Sequence, residues 1–325
     1  SFMPIVSSFS YAFSRDTLGL RRSIASRNDD MQPLLARTAA QAEFGKDSPY
    51  GRNIEYATVE AITREDCVAM HGHAYAPNRS IVIVYGDFKA SDMKALLTKQ
   101  FGDWGKSTWT PPAMPPMPAL TGNRVVFAPK NDVTQSGVVL AHLGFKADDP
   151  DLANMDVLEQ ALGGGFQSRL FNLIRTQRGL AYATGASAGS GFMRPGVFSA
   201  LTLTRNDSVM VSLDLLRQEV TRITLEPMGD AELQRARDAV QNSLVFAFER
   251  PAQVAFRAGF YELAGYPADF LQRYQKSITE VTPQTLQAAG QRKIKPENMI
   301  TVVVGKESEF DRPLSSIGPP VERID

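Results

Sequence analysis

Residues that bind metals or form disulfides are scarce in this 325-residue chain, which has three histidines and one cysteine. A lone cysteine excludes an internal disulfide, and the place of Cys67 in a helical pattern reads as packing rather than chemistry. His71 and His73 are two apart in a helical segment and so point to different faces, while His142 falls in a strand pattern far away. A catalytic zinc needs three protein ligands and an open position. No His-x-x-Glu-His, no reversed form of it and no cysteine cluster occurs, so no metal site is expected within this chain. Lys+Arg equals Asp+Glu at 35 each, with no block of one sign, which argues against nucleic acid or an anionic membrane surface as partner. No apolar run approaches the ~20 residues of a membrane helix, so membrane insertion is not expected. Residues 1–13 lack the basic start of a signal peptide, and the chain opens on Ser, as a processed or incomplete chain would.

What is present is a diverged repeat. Ile62-Thr-Arg-Glu-Asp-Cys-Val-Ala-Met pairs with Val281-Thr-Pro-Gln-Thr-Leu-Gln-Ala-Ala. Ala76-Pro-Asn-Arg-Ser-Ile-Val-Ile-Val-Tyr-Gly86 pairs with Lys295-Pro-Glu-Asn-Met-Ile-Thr-Val-Val-Val-Gly305. Both pairings share one offset, 281 − 62 = 219 and 305 − 86 = 219. Each copy reads as a helix opened by Thr, an X-Pro stop, and a buried β-branched strand ending in Gly. Two pairings at a fixed offset imply two domains of one fold.

Between the copies, Trp109-Thr-Pro-Pro-Ala-Met-Pro-Pro-Met-Pro118 reads as a stiff linker. The expected organisation is 1–106 as the C-terminal part of a first domain, 107–122 as a Pro-rich linker and 123–325 as a second domain. In the second domain, strands are expected at 124–128, 136–144, 181–189, 196–204 and 299–304. Helices are expected at 150–162, 166–177, 207–224, 229–247, 252–264, 267–275 and 282–292. Few strands with helices grouped between them indicate an α+β fold, a helical layer against a mostly antiparallel sheet. By the offset the first domain begins near 123 − 219 = −96, so its opening strands and first helix are not in this chain.

The most informative stretch is Gly163-Gly-Gly-Phe-Gln-Ser-Arg-Leu-Phe-Asn-Leu-Ile-Arg-Thr-Gln-Arg-Gly-Leu-Ala-Tyr182. Its glycines lack the Gly-Lys-Ser/Thr of a phosphate loop and read as a helix C-cap and reversal. Arg175 falls near the end of a helix and Tyr182 at the start of the next strand, across the turn at Arg178-Gly179. Such a placement brings a charged planar fork and a hydroxyl donor onto one spot, suited to a carbonyl, a carboxylate or an oxyanion.

The segment Ser168–Tyr182 resembles the signature of the second domain in the insulinase-like (pitrilysin, processing-peptidase) metallopeptidase family. Phe44-Gly-Lys-Asp-Ser-Pro-Tyr-Gly51 resembles that family's Pro-Tyr-Gly loop. His71 through Asp87 resembles the strand closing its first domain, and Phe101-Gly-Asp-Trp104 that domain's end. The resemblance implies two related α+β domains of the LuxS/processing-peptidase-like metallohydrolase fold. In this family the first domain carries an inverted zinc motif, with a downstream Glu as third ligand. The second carries an Arg and a Tyr that bind substrate; here these are Arg175 and Tyr182. The motif would precede residue 1, near −67 to −56. The helix expected to bear the third ligand, about Thr17–Ala42, contains no Glu. Its acids, Asp29 and Asp30, read as a turn, although the ligand position falls near Ala25–Arg27 and a displaced Asp ligand stays open.

The resemblance therefore implies a bacterial, non-catalytic "inactive domain" subunit. Arg175 and Tyr182 would bind a peptide substrate, with no catalytic and no metal-binding residue in the chain. Zinc is expected on a partner subunit or in the missing N-terminal segment, and the expected partner is a homologous zinc-bearing subunit or a second copy in a homodimer. A self-sufficient zinc peptidase and a non-proteolytic scaffold are the alternatives. By analogy alone, such chains are exported or periplasmic.

Overall fold

The computed structural model describes residues 16–118 and 122–324. The reading of residues 1–13 lies outside the described residues. In chain order the helices are α1 (16–25), α2 (Met31–Phe44), α3 (Tyr56–Ala61), α4 (Arg64–Ala74), α5 (Ala90–Phe101) and α6 (Leu152–Leu162). They continue with α7 (Val209–Leu225), α8 (Asp230–Ala247), α9 (Pro251–Leu263), α10 (Phe270–Thr279) and α11 (Pro283–Lys293). The strands are β1 (Arg124–Pro129), β2 (Gln135–Leu143), β3 (Phe145–Lys146), β4 (Ala181–Ser187), β5 (Ser190–Gly191), β6 (Val197–Arg205), β7 (Ile300–Gly305) and β8 (Val321–Arg323). The chain forms two compact units. The first gathers residues up to Arg27, Asn53–Pro115 and Phe248–Gly265; the second gathers Asn28–Arg52, Pro116–Ala247 and Tyr266 onward.

The second unit is an α+β fold around a six-stranded sheet of order β4-β6-β2-β7-β1-β8. The β7–β1 and β1–β8 ladders are parallel and the other three antiparallel. The five expected strands form within two residues of their expected ends. The short strand β8 and the β3–β5 pair have too little periodicity to stand out in the sequence. The centre of the sheet is buried on both faces: every residue of β7, and all but the end residues of β2, are buried, while most of β4 and alternate residues of β6 are only half-buried. On one face Val126, Val139, Leu203 and Val302 pack with Leu35 of α2. On the other, fully buried Phe127, Leu140 and Phe198 lie on alternate positions, and Thr204 of β6 bonds Ser212 of α7 at 3.1 Å. A single helix over Thr17–Ala42 does not form. The chain breaks at 26–30, where Asn28-Asp29-Asp30 makes a turn and an extended Asp30 precedes α2. Asn and Asp side chains compete with helical backbone bonds, which favours this break.

The repeat is visible in the caps. In α4, Thr63 accepts from the Asp66 amide at 3.1 Å; in α11, Thr282 accepts from the Thr285 amide at 3.2 Å. The caps differ by 282 − 63 = 219, and so do the 3₁₀ turns Pro77–Arg79 and Pro296–Asn298. The strands diverge. Ile300–Gly305 is central in its sheet, whereas 81–85 joins no ladder among the described residues and is exposed, from 37% at Val84 to 59% at Tyr85. The expectation of a buried strand there is corrected. Burial of a β-branched run requires strands on both sides, as β2 and β1 flank β7.

Buried polar groups tie the second unit together. Ser136 on β2 donates to Asn206 at 2.7 Å, and Asn206 donates to the Val133 carbonyl at 3.0 Å and to Glu309 at 2.8 Å. On α6, burial pushes the Asp156 carboxyl up to about 6, with the nearby Glu159 adding to the shift and the hydrogen bond from the Tyr274 hydroxyl opposing it. Burial also raises Glu159, which accepts from the Ala188 amide at 2.6 Å.

Two predictions follow from this packing. A Cβ on Gly305 would lie 1.8 Å from Ser136 Oγ. Gly305→Ala is expected to break the Ser136–Asn206 contact and cost about 1–3 kcal/mol, read as a melting temperature lower by roughly 2–4 °C per kcal/mol. A carboxyl whose folded pKa is raised binds more protons folded than unfolded. Its neutral form costs nothing at low pH, and stability is lost as pH rises from the unfolded value toward the folded one. Asp156→Asn keeps an acceptor for Tyr274 and removes this loss. Its stability gain over the wild type should grow from near zero at about pH 4 to on the order of 2–3 kcal/mol at about pH 8 in urea unfolding. A gain independent of pH would contradict the assignment.

Candidate functional site

The segment following α6 is shaped by close approach. Gly163 ends α6, its amide bonding the Glu159 carbonyl at 2.9 Å. A Cβ there would sit 2.2 Å from the Ala186 amide nitrogen on β4, so the glycine serves packing rather than a ligand. The helix expected over 166–177 starts later. Phe166 and Gln167 lie in a turn, helical geometry begins at Arg169, and Phe171–Gln177 winds as a wider π-helix. Leu170 and Ile174 on one side are fully buried. Arg169 locks the start of the segment to α8 by two bonds to Glu232, at 2.6 and 2.9 Å. With that side anchored, Phe171 and Arg175, also four apart, face outward.

The turn to β4 is made by Gly179 at φ +63°, a left-handed conformation that favours glycine. The Leu180 amide returns to the Ile174 carbonyl at 3.0 Å. Pairing of β4 with β6 then slips: Ala181 faces Thr204 and Ala183 faces Leu203, leaving Tyr182 as an extra residue. This is a β-bulge on an edge strand, and it re-aims the Tyr182 side chain. Tyr182 is 69% exposed.

The structure thus brings the two sequence-identified residues together. The Arg175 guanidinium carbon lies 4.8 Å from the Phe171 ring centre and 5.7 Å from that of Tyr182. Phe166 meets Phe171 edge-on at 5.0 Å. Aromatic faces hold a guanidinium without consuming its five N–H donors, as an ion pair would. Among the described residues, no acid forms an ion pair with Arg175. The Pro-Tyr-Gly loop is folded onto the end of α2. Gly51 leaves no room for a Cβ, which would meet the Gly45 carbonyl oxygen at 2.5 Å. Tyr50 packs against Phe44 at 5.9 Å and under Arg194 at 5.0 Å.

The described residues do not fit zinc. Among them, no group of three His, Cys, Asp or Glu side chains is placed to hold a metal ion. His71 stacks on Tyr75 and His73 on Trp109. Both nitrogens of the buried His142 are engaged: Nδ1 lies 2.9 Å from the Leu143 carbonyl and Nε2 accepts from the Lys295 amide at 3.3 Å. Burial lowers its pKa, and the contact with the Leu143 carbonyl opposes that shift. The helix α6 is the repeat counterpart of the one expected to carry the zinc motif; its acids Asp156 and Glu159 are spent on Tyr274 and the Ala188 amide. One residue was missed by sequence reasoning. The Glu-free stretch ends at Ala42, and the next residue, Glu43, is a carboxyl only 3% exposed with neither oxygen hydrogen-bonded. Only a polar residue on the sheet-facing stripe of α2 hinted at it.

No helix among the described residues is long and apolar enough to cross a membrane. A family model described as the peptidase M16 inactive domain matches residues 61–240, more than half of the chain. A Mycobacterium leprae protein named an uncharacterized zinc protease is 28% identical over 271 residues, covering 82% of this chain and 60% of its own length. A protein of the same description from Streptomyces coelicolor is 29% identical over 273 residues, covering 82% and 59%. The chain therefore spans about 60% of the length of the curated relatives it matches. Among solved structures, a peptidase M16 inactive domain from Pseudomonas fluorescens has a TM-score of 0.79 at 22% identity, over 91% of this chain and 70% of that one. A protease from Helicobacter pylori has 0.80 at 18% identity, over 90% and 71%. At such identities the structures speak for the shared α+β fold, while the match over 61–240 shows membership: the chain belongs to the peptidase M16 inactive-domain family.

Proposed function

We propose that this chain is the non-catalytic, substrate-binding member of a zinc peptidase, with Arg175 and Tyr182 holding the peptide while a homologous partner subunit carries the zinc. The observation that carries this reading is the pair itself. A guanidinium flanked by two rings, with no ion pair among the described residues, lies beside a tyrosine raised by a bulge on an edge strand. Such a fork donates to a peptide carbonyl, and the tyrosine hydroxyl adds a second donor. When water adds to that carbonyl and the C–N bond breaks, negative charge gathers on the oxygen. Donors already oriented there stabilise it without reorganising. Zinc would supply the activated water and polarise the carbonyl. No step through zinc is assigned to this chain, whose described residues do not form a site for it.

A second reading rests on length. Because the chain spans about 60% of its curated relatives, a zinc motif elsewhere in the same polypeptide would make the protein a self-sufficient peptidase. Assay of the complete protein with zinc separates the two: turnover without any partner supports the second reading and ends the first.

In the active assembly, Arg175→Ala or Tyr182→Phe is expected to lower kcat/KM roughly 10²-fold, the usual loss for one oxyanion donor. Melting temperatures should hardly move, because both side chains are solvent-exposed. Unchanged turnover in both variants would make the pair structural and favour a scaffold role without proteolysis.

A further inference from the structure

Helix α2 lies on the sheet with a stripe of small residues. Ala36, Ala39 and Ala40 face Val139, Ala141 and Ala183 of β2 and β4, and these short side chains leave a cavity of about 480 Å³. This volume falls within the ~300–1,000 Å³ of small-molecule sites. The walls are nearly all apolar, and a carboxyl group borders them. Glu43, one helical turn beyond Ala39 and Ala40, lines the same cavity. It is 3% exposed, and neither carboxylate oxygen has a hydrogen-bond partner. Among the described residues the cation acting on it is Arg124, whose guanidinium is already committed. It donates to Glu322 at 2.9 and 2.7 Å and to the Ala42 carbonyl at 3.0 Å.

A buried acid without a hydrogen-bond partner beside an apolar cavity is costly, and the attraction of Arg124 offsets that cost only in part. A ligand that fills the space and brings its own donor would offset the rest. We propose that this cavity binds a small apolar amine, its hydrocarbon body against the alanine stripe and its ammonium group on the Glu43 carboxylate. Other polar groups on the wall, Gln32 and Ser199, are neutral and match no second charge. Burial pushes the Glu43 carboxyl up to about 7, so the acid is poised to gain from a cation placed beside it. This inference does not depend on the Arg175 and Tyr182 reading.

The test is calorimetric titration of the purified chain with phenethylamine, 2-phenylethanol and 3-phenylpropionate at about pH 8. The amine is expected to bind at least about tenfold more tightly than the alcohol, and the carboxylate not to bind. Glu43→Gln should abolish that preference while leaving the alcohol's affinity unchanged. Ala39→Leu, with folding checked by melting, should weaken both amine and alcohol by filling the space. Three results would each overturn the proposal: no amine binding at millimolar concentration, equal affinity for amine and alcohol, or an amine preference that survives Glu43→Gln.

Discussion

The central strands of the second unit's six-stranded sheet are buried on both faces, and most of their neighbours follow from that constraint. Strands buried on two sides cannot alternate polar and apolar residues, so β2 and β7 read as nearly unbroken apolar runs. Covering the second face requires α2, whose Leu35 packs with Val126, Val139 and Val302. A helix laid over an already crowded sheet needs small residues at the contact. Gly137 of β2 shows this: a Cβ there would meet Leu35 at 2.5 Å and Met31 at 2.7 Å. The same alanine-rich contact leaves the cavity in which Glu43 is stranded. β4 forms one edge of the sheet, and the candidate site lies at that edge.

The geometry at that edge comes from departures from regular structure. A π-helix ends the segment that bears Arg175, a left-handed glycine turns the chain, and a bulge lifts Tyr182 out of the ladder. Each irregularity alone would be a local cost. Together they are over-determined by buried Leu170 and Ile174 and by the Arg169–Glu232 pair. The geometry of the candidate site therefore depends on side chains that lie behind it.

Local signals in the sequence translated well. Thr63 and Thr282 cap their helices at the 219-residue spacing read from the chain, because a cap involves only a few adjacent residues. The break between α1 and α2 coincides with Asn28-Asp29-Asp30 for the same reason. The run Ile81–Tyr85 has the composition of its repeat partner Ile300–Val304, yet stays exposed, since burial depends on neighbouring strands rather than on the run itself. The start of helical structure at Arg169 rather than Phe166 likewise reflects where Leu170 and Ile174 find a core.

By itself the sequence determined the α+β class, the positions of the main strands, and the pairing of Arg175 with Tyr182 across the Gly179 turn. These depend on periodicity and on residues within about ten positions of one another. Only the tertiary structure decided which way those two side chains point, that two rings flank the guanidinium, and that Glu43 has no hydrogen-bond partner among the described residues. Bulges, π-turns and cavities arise from contacts between distant segments, and no short window of residues encodes them.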